Sequence, residues 1–329
     1  MSALTALADG FLDRSLVLGY TKIGPSLRRH WWPADPQPGC LDGQRVVVTG
    51  ATSGIGEAMV TLFAALGATV HVLGRNPAKV ATVVADVRRA LPSATLVEEV
   101  CDVGDLDAVR AWCDDFSGRV DSLRGLVHNA GTLPAERTES PQGHEMTLAV
   151  HVLGPHLMTE RLLPLLGAAA DRPGGAGSVV WMSSGGMYSA GLRSTPDEIE
   201  YRDGTYDGVR GYARTKRMQV EIVDAWNDRL RGGEVRIESC HPGWAATPGV
   251  SDSLPGFEKV MGRLFRDAAC GADTAVWLVA NRPDSTGTHH FWHDRAPRPT
   301  TYPVQRRPDL AARRAFVDYV AAATGTVWP

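Results

Sequence analysis

VVVTGATSGIGEAM, residues 46 to 59, decides how the rest of the chain is read. A β-branched run ending at Thr49 passes through Gly50, Gly54 and Gly56 into a helix-forming segment. Glycine at a strand-to-helix turn permits a tight reversal and lets the backbone come close to a ligand. The free N–H groups that open the helix attract an anion, a pyrophosphate above all. The spacing is Gly-x-x-x-Gly-x-Gly rather than the common dinucleotide fingerprint, yet it stands in the strand, turn and helix context that the chemistry needs.

Outward from this turn the chain alternates short β-branched runs with longer helical segments, as buried parallel strands alternate with crossover helices. Strands are expected at RVVVT (45–49), TVHVL (69–73), TLVEEV (95–100), RGLVHN (124–129), SVVWM (178–182) and VRIESC (235–240). Helices are expected near 55–66, 77–91, 105–116, 143–167, 210–231 and 270–281. Without an internal repeat, this predicts one Rossmann-like α/β domain over residues 41–329, with a doubly wound parallel sheet in a three-layer α/β/α arrangement. The connection 185–211 is long and rich in Gly and Asp, and loops of that kind are often functional. Residues 1–40 differ: LTALADGFLDRSLVLGYTKIG reads as a helix with an apolar stripe of Leu4, Leu7, Ala8, Phe11 and Leu18, and HWWPADPQPGC as a Pro-broken connection. This N-terminal helical arm is expected to dock on the domain. The alternative is an interfacial helix that touches a membrane through residues 1–20, although the segment lacks the Lys/Arg-rich polar face that favours anionic lipid.

The 329 residues are 43% hydrophobic and 22% charged, which allows a sizeable core in a globular protein. A net charge of −3 with no run of like charges argues against a nucleic-acid partner. Cys40, Cys101, Cys113, Cys240 and Cys270 are scattered and odd in number, which predicts reduced packing residues in a cytoplasmic protein and no metal site. No apolar stretch is long enough to span a bilayer, and no secretory signal pattern opens the chain.

TGATSGIG, residues 49–56, resembles the TGxxxGxG signature of the short-chain dehydrogenase/reductase family, and further family marks follow in order. CDVGD carries Asp102 and Val103 after the third strand, HNAG carries Asn129, Ala130 and Gly131 after the fourth, and VVWMSSGG ends the fifth with Ser183 and Ser184. GYARTK supplies Tyr212 and Lys216 four residues apart, one turn on a helix, and HPGWAAT matches the family's PGxxxT segment with Pro242, Gly243 and Thr247. A closer likeness to one vertebrate subgroup and its bacterial relatives runs from Gly19 to Pro299, on GYTKIG, SSGGM, HPGWAATPGV, GADTAVWL and HDRAP.

The resemblance implies an oxidoreductase that interconverts a carbonyl and an alcohol by hydride transfer. It implies that Gly50, Thr52, Ser53, Gly54, Ile55 and Gly56 hold the cofactor phosphates, Asp102 and Val103 the adenine end, and Asn129, Ala130 and Gly131 the middle. Tyr212 and Lys216 then meet the nicotinamide end together with Pro242, Gly243 and Thr247. Tyr212 is the implied acid/base and Ser184 the implied substrate-oxygen partner. A close Lys216 ammonium and the nicotinamide are expected to depress the phenol's pKa from its ordinary ~10. The second strand ends without the acid that would bind an NAD ribose, and Arg75 follows Gly74, so NADP(H) is expected over NAD(H).

Twenty-eight positions separate Ser184 from Tyr212, wider than the family's usual spacing, as in its retinol-dehydrogenase-like branch. Loops 185–211 and 245–265 are therefore expected over the substrate. Met187, Tyr188, Trp244 and Leu254 are candidates for an apolar pocket for a lipophilic ketone, aldehyde or secondary alcohol. In LAVHVLGPHLMT, His151 stands where the family has an Asn whose helix kink anchors the water beside the catalytic lysine. His151 is expected either to be a satisfied core residue, or to carry protons and add an ionisation between pH 5 and 8, or to leave a cofactor-binding scaffold or sensor with an impaired relay. Family members commonly form homodimers or homotetramers through their long fourth and fifth helices.

Overall fold

Val46, Val47 and Val48 are all fully buried, because strand β1 (Arg45–Thr49) runs through the middle of the molecule with protein on both faces. The computed structural model describes residues 3–231, 233–246, 259, 261–284, 290–302, 305 and 309–328. These contain β2 (Thr69–Gly74), β3 (Thr95–Val100), β4 (Gly125–His128), β5 (Ser178–Met182), β6 (Arg236–Cys240), β7 (Phe291–His293) and β8 (Ala296–Pro297). They form one sheet in the order β3-β2-β1-β4-β5-β6-β7-β8, parallel except for the β7–β8 pair. Val46 stands opposite Val70 on one side and Gly125 on the other, so the reversal of strand order falls between β1 and β4, beside the glycine turn. Ligands of doubly wound sheets bind at that crevice.

The helices are α1 (Ala3–Arg14), α2 (Leu16–Tyr20), α3 (Ile23–Arg28), α4 (Gly54–Ala65), α5 (Pro77–Ala90) and α6 (Leu106–Arg119). After them come α7 (Met146–Leu148), a π turn (Ala149–Leu153), α8 (Gly154–Ala168), α9 (Pro196–Ile199), α10 (Gly208–Arg229), α11 (Ala268–Asn281) and α12 (Leu310–Thr324). Alternate side chains of each strand face opposite ways. Val46 and Val48 therefore join Met59, Phe63, Val80 and Val279 from α4, α5 and α11 in one core. Val47 joins Trp112, Leu157, Trp226 and Phe316 from α6, α8, α10 and α12 in the other. This is the expected three-layer, doubly wound α/β fold.

Caps set where the site-bearing helices begin. Asn76 accepts from the Lys79 N–H at the start of α5, with Pro77 in the first turn, and Asp207 accepts from the Arg210 N–H and so fixes α10 five residues before Tyr212. The expected continuous N-terminal helix is broken: Ser15 caps α2, and the chain turns again at Thr21 before α3. The six expected strands are present with nearly the expected bounds. The short β7 and β8, and α12, had no sequence expectation. In the connection 185–211, a 3-10 turn (Gly185–Ser189) and α9 are ordered by local bonds such as the Thr195 and Glu198 capping box.

The arm is tied down by ion pairs. Arg28 on α3 bonds Asp9 of α1 at 2.8 Å and Asp294, just past β7, at 2.6 Å. Arg266 also reaches Asp294 at 2.6 Å, and Arg298 pairs with Asp9 and lies 3.5 Å from Asp13. Three buried arginines thus face three buried aspartates. A balance of that kind avoids the several kcal/mol that an unpaired buried charge costs.

Candidate active site

Gly50 leaves β1 with a φ of 61°, and a Cβ there would lie 2.6 Å from the Ala130 Cα. A Cβ at Gly56 would lie 2.2 Å from the Gly50 carbonyl oxygen and 2.5 Å from Asn129 Nδ2. Only glycine fits this cradle. Asn129 holds it shut from the β4 side, since its Nδ2 donates to the carbonyls of Thr49 and Gly50, each at 3.1 Å. The Thr49 hydroxyl oxygen accepts the N–H groups of Asn129 and Ala130, each at 3.0 Å. Ser53, at the N-cap of α4, makes no capping bond with its side chain, so the first donors of that helix are left for an outside acceptor. Thr52 and Ile55 sit on the same turn, with Thr52 packed against Gly74 at the end of β2. The cradle therefore fits the phosphates of a dinucleotide.

Around it stand the other residues that the family likeness marked. Arg75 is exposed directly after β2, with no acid at Gly74 or Asn76. Asp102 is exposed after β3, its Oδ1 accepting from the Gly104 N–H at 2.9 Å, while Val103 is buried. Gly131 faces His151: a Cβ on it would lie 3.1 Å from the imidazole Nε2.

Ser184 lies two residues past β5 and caps the following 3-10 turn, accepting the Gly186 N–H at 3.2 Å. Tyr212 projects from the second turn of α10 toward the same place: a Cβ on Gly186 would lie 3.6 Å from Ser184 Oγ and 3.9 Å from Tyr212 Cε1. Burial raises the Tyr212 pKa above 10, and the neighbouring Ser184 hydroxyl offsets part of that rise. The expected depression by Lys216 is absent for a geometric reason. Lys216 is buried one turn on, and its Nζ donates to the Met182 carbonyl at 2.7 Å, 5.2 Å from the Tyr212 ring centroid. Burial lowers the Lys216 pKa from its ordinary 10.5 to about 7.

His151 is fully buried in the π turn that leads into α8. Its Nε2 accepts from the Thr132 N–H at 3.1 Å, so the proton resides on Nδ1 and is donated to the Thr215 hydroxyl at 2.8 Å. That hydroxyl in turn donates to the Tyr212 carbonyl at 3.0 Å. The rings of His151 and Tyr212 meet edge to face at 5.4 Å. Burial, helped by the Lys216 charge, holds the His151 pKa well below 6.5. Burial therefore works against the ionisation of this imidazole between pH 5 and 8 that the sequence reading allowed. The His151 carbonyl accepts from Gln219 Nε2 at 2.9 Å.

Sequence reasoning missed a wall of the site that comes from the arm. A Cβ on Gly185, the residue after Ser184, would lie 2.6 Å from Tyr20 Cε2. Tyr20 is buried against His241 at a ring separation of 4.2 Å, and its carbonyl accepts from the Trp244 N–H at 2.7 Å. Arg266 locks this corner, donating to the carbonyls of Gly19, Tyr20 and Thr21. It also packs on Gly243, whose φ is 75° and where a Cβ would lie 2.3 Å from Arg266 Nε. GYTKIG, HPGW and HDRAP were visible as motifs, and their meeting is what gives them a role. Among the pocket candidates, Met187 is fully buried against Val220 and Phe291, so it is core and not lining. Tyr188 donates to the Pro299 carbonyl at 2.6 Å and, with Gly191, Leu192, Arg217 and Gln305, lines a cavity of about 250 Å³. Trp244 packs on Tyr20, whereas Thr247, Leu254 and most of 245–265 lie outside the described residues.

A family model described as short chain dehydrogenase matches residues 44–255. The chain is 33% identical over 290 residues to dehydrogenase/reductase SDR family member 12 of Bos taurus, covering 87% of this chain and 88% of that protein. A crystal structure of an uncharacterized protein from Mycobacterium paratuberculosis superposes with a TM-score of 0.67 at 22% identity, covering 90% of this chain and all of that one. A short chain dehydrogenase of Shigella flexneri 2a str. 301, crystallised with NADP, gives a TM-score of 0.59 at 22% identity over 74% of this chain and 93% of its own. At those identities the solved structures bear on the fold alone. The model match takes in the glycine cradle, Asn129, Ser184, Tyr212 and Lys216 over well more than half the chain: the chain belongs to the short-chain dehydrogenase family of oxidoreductases.

Proposed function

We propose that the protein is an NADP(H)-dependent oxidoreductase that interconverts a lipophilic ketone or aldehyde and the corresponding alcohol, with Tyr212 as acid/base. The observation that carries this reading is the convergence of Ser184, Tyr212 and Lys216 just past β5: a Cβ on Gly186 would meet both Ser184 Oγ and the Tyr212 ring, and Lys216 Nζ lies 5.2 Å from that ring's centroid. When bound, the nicotinamide supplies or accepts the hydride. Ser184 holds the substrate oxygen and steadies the charge that develops on it. Tyr212 donates its phenolic proton to that oxygen during reduction and takes one back during oxidation. Because burial keeps the phenol protonated, the free protein is poised for reduction. Lys216, with its pKa near 7, supplies the positive charge that oxidation needs once anionic cofactor groups favour its ammonium form.

Exposed Arg75 and the lack of an acid after β2 support NADP(H) over NAD(H), because a guanidinium grips a 2′-phosphate with paired donors. The free cysteines suit a reducing, cytoplasmic setting. A homodimer or homotetramer built on α8 and α10 would have to accommodate α12, which lies against both helices and buries Phe316, Val317 and Val320. The test is NADPH oxidation by the purified protein across a panel of aldehydes and ketones, repeated with Tyr212→Phe. The variant should keep the fold and bind cofactor while turnover falls by about 10²–10⁴-fold. Near-normal turnover of Tyr212→Phe would refute the mechanism.

A second reading, an NADPH-binding scaffold or sensor, draws on the engagement of Lys216 Nζ with Met182 rather than with the phenol. A protein that binds NADPH, is inert on every carbonyl, and is revived by His151→Asn would select it.

A further inference from the structure

Helix α1 is turned the unusual way round. Leu4, Leu7 and Phe11 share one face of it, and they are 78%, 73% and 65% exposed. Asp9 and Asp13, on the opposite face, are buried. Burial raises the Asp9 pKa, but the Arg298 and Arg28 guanidiniums outweigh it and leave that carboxyl below its ordinary range, so it is ionised and inward-facing. An amphipathic helix of an ordinary globular domain does the reverse, with apolar residues in and acids out.

This inversion changes the charge that the arm shows to solvent. Its only acids among residues 3–32 are Asp9 and Asp13, and both are sequestered against Arg28 and Arg298. Its exposed charged residues are Arg14, Lys22 and Arg29, all cations. Val17 and Leu27, at 44% and 43% exposure, extend the apolar surface along α2 and α3. The sequence alone shows no cationic polar face here, because in a linear reading the two aspartates cancel two of the basic residues. The fold removes that cancellation.

We propose that the outer surface of α1 to α3 is a docking face for an anionic lipid surface, with Leu4, Leu7 and Phe11 entering the acyl boundary and Arg14, Lys22 and Arg29 meeting headgroup phosphates and carboxylates. Apolar burial and cation attraction together are what holds a helix in the plane of such an interface. Among the described residues no helix is long and apolar enough to cross a membrane, so the arm lies on the bilayer and does not span it. Charge complementarity favours this occupant over a second copy of the chain, whose matching face would carry the same three cations and repel them.

The experiment is flotation of the full-length protein with vesicles of equimolar phosphatidylserine and phosphatidylcholine, against vesicles of phosphatidylcholine alone. The wild type should float with the anionic vesicles, and high salt should weaken that association. Leu7→Asp/Phe11→Asp should reduce the bound fraction by about tenfold or more, and Arg14→Ser/Lys22→Ser/Arg29→Ser should bring anionic binding down to the phosphatidylcholine level. A thermal melt of each variant checks folding, and if the apolar variant is destabilised the charge variant alone decides. Wild type left at the bottom of the gradient with anionic vesicles overturns the proposal. So does undiminished binding by the charge variant. A wild-type dimer that Leu7→Asp/Phe11→Asp dissolves, with no vesicle binding, assigns the face to a second copy instead.

Discussion

The cofactor half of the molecule and the joint between arm and C-terminal strands are held by different forces. Around β1, Val46, Val48, Met59, Phe63 and Val80 make a continuous apolar core. At the joint, Asp9, Asp13, Arg28, Arg266, Asp294 and Arg298 do the holding, and all six are buried. Apolar contacts are interchangeable and fail gradually, whereas a buried ion network fails when one member leaves its partners unmatched. The first kind tolerates substitution, and the second makes the placement of Tyr20 beside Ser184 all or none.

The largest expected effect tests that contrast. Asp294→Ala strips Arg28 and Arg266 of a shared carboxylate and should cost about 3–5 kcal/mol in urea denaturation. It should also open residues before Trp32 to proteolysis and lower turnover through the Tyr20 wall. Met59→Ala in the apolar half should cost a comparable ~2–5 kcal/mol but leave the arm protected. If both variants release the arm equally, the two regions are one cooperative unit and the contrast fails.

The cofactor half also buries charge, and Glu99 sharpens the comparison. Burial raises the Glu99 pKa, but hydrogen bonds from His71, Arg119 and Trp112 overcome this and bring it down from 4.5 to about 2. A carboxylate depressed in the folded state contributes stability that is complete above the unfolded value and is lost as pH falls through the folded one. Glu99→Gln should therefore flatten the stability profile between about pH 4.5 and 2, by up to ~3 kcal/mol before solvent screening of Arg119 is counted. Parallel acid limbs in the two proteins would show that Glu99 carries none of this.

Smaller effects belong to the site. Arg75→Ala should narrow the gap between NADPH and NADH affinity by roughly 1.5–3 kcal/mol for each lost charge-assisted bond, read by cofactor fluorescence. Equal affinities in the wild type would remove the assignment. Smallest of all, the pH–rate profiles of wild type and His151→Asn should superimpose between pH 5 and 8, because burial disfavours the charged imidazole. A wild-type inflection that the variant lacks would mean that cofactor binding recharges His151.

Much of the cofactor half was legible in the sequence, since buried parallel strands are β-branched runs and a glycine cradle has a fixed spacing. Ser184, Tyr212 and Lys216 come together as adjacent groups for the same reason: a strand end and one helical turn fix their geometry. The joint was not legible. Its partners lie up to 289 residues apart, β7 is three residues long, and buried aspartates leave no periodic trace. The downward pKa shifts of Lys216 and His151 also escaped, because burial sets them. Motif spacing shows neither.

The arm's clamp has a consequence for synthesis. Asp9 leaves the ribosome 289 residues ahead of Arg298, the later of the two arginines that pair with it, a lag of roughly 15 to 60 s at ordinary elongation rates. Until then the α1 segment has only α2, α3 and Arg28 of the arm to fold against, and its apolar face and much of its acidic one are open to whatever binds nascent chains. A helix translated well before the domain it docks on is thus among the last elements to find its place, and the Tyr20 wall of the active site closes only after Arg266, Asp294 and Arg298 have emerged.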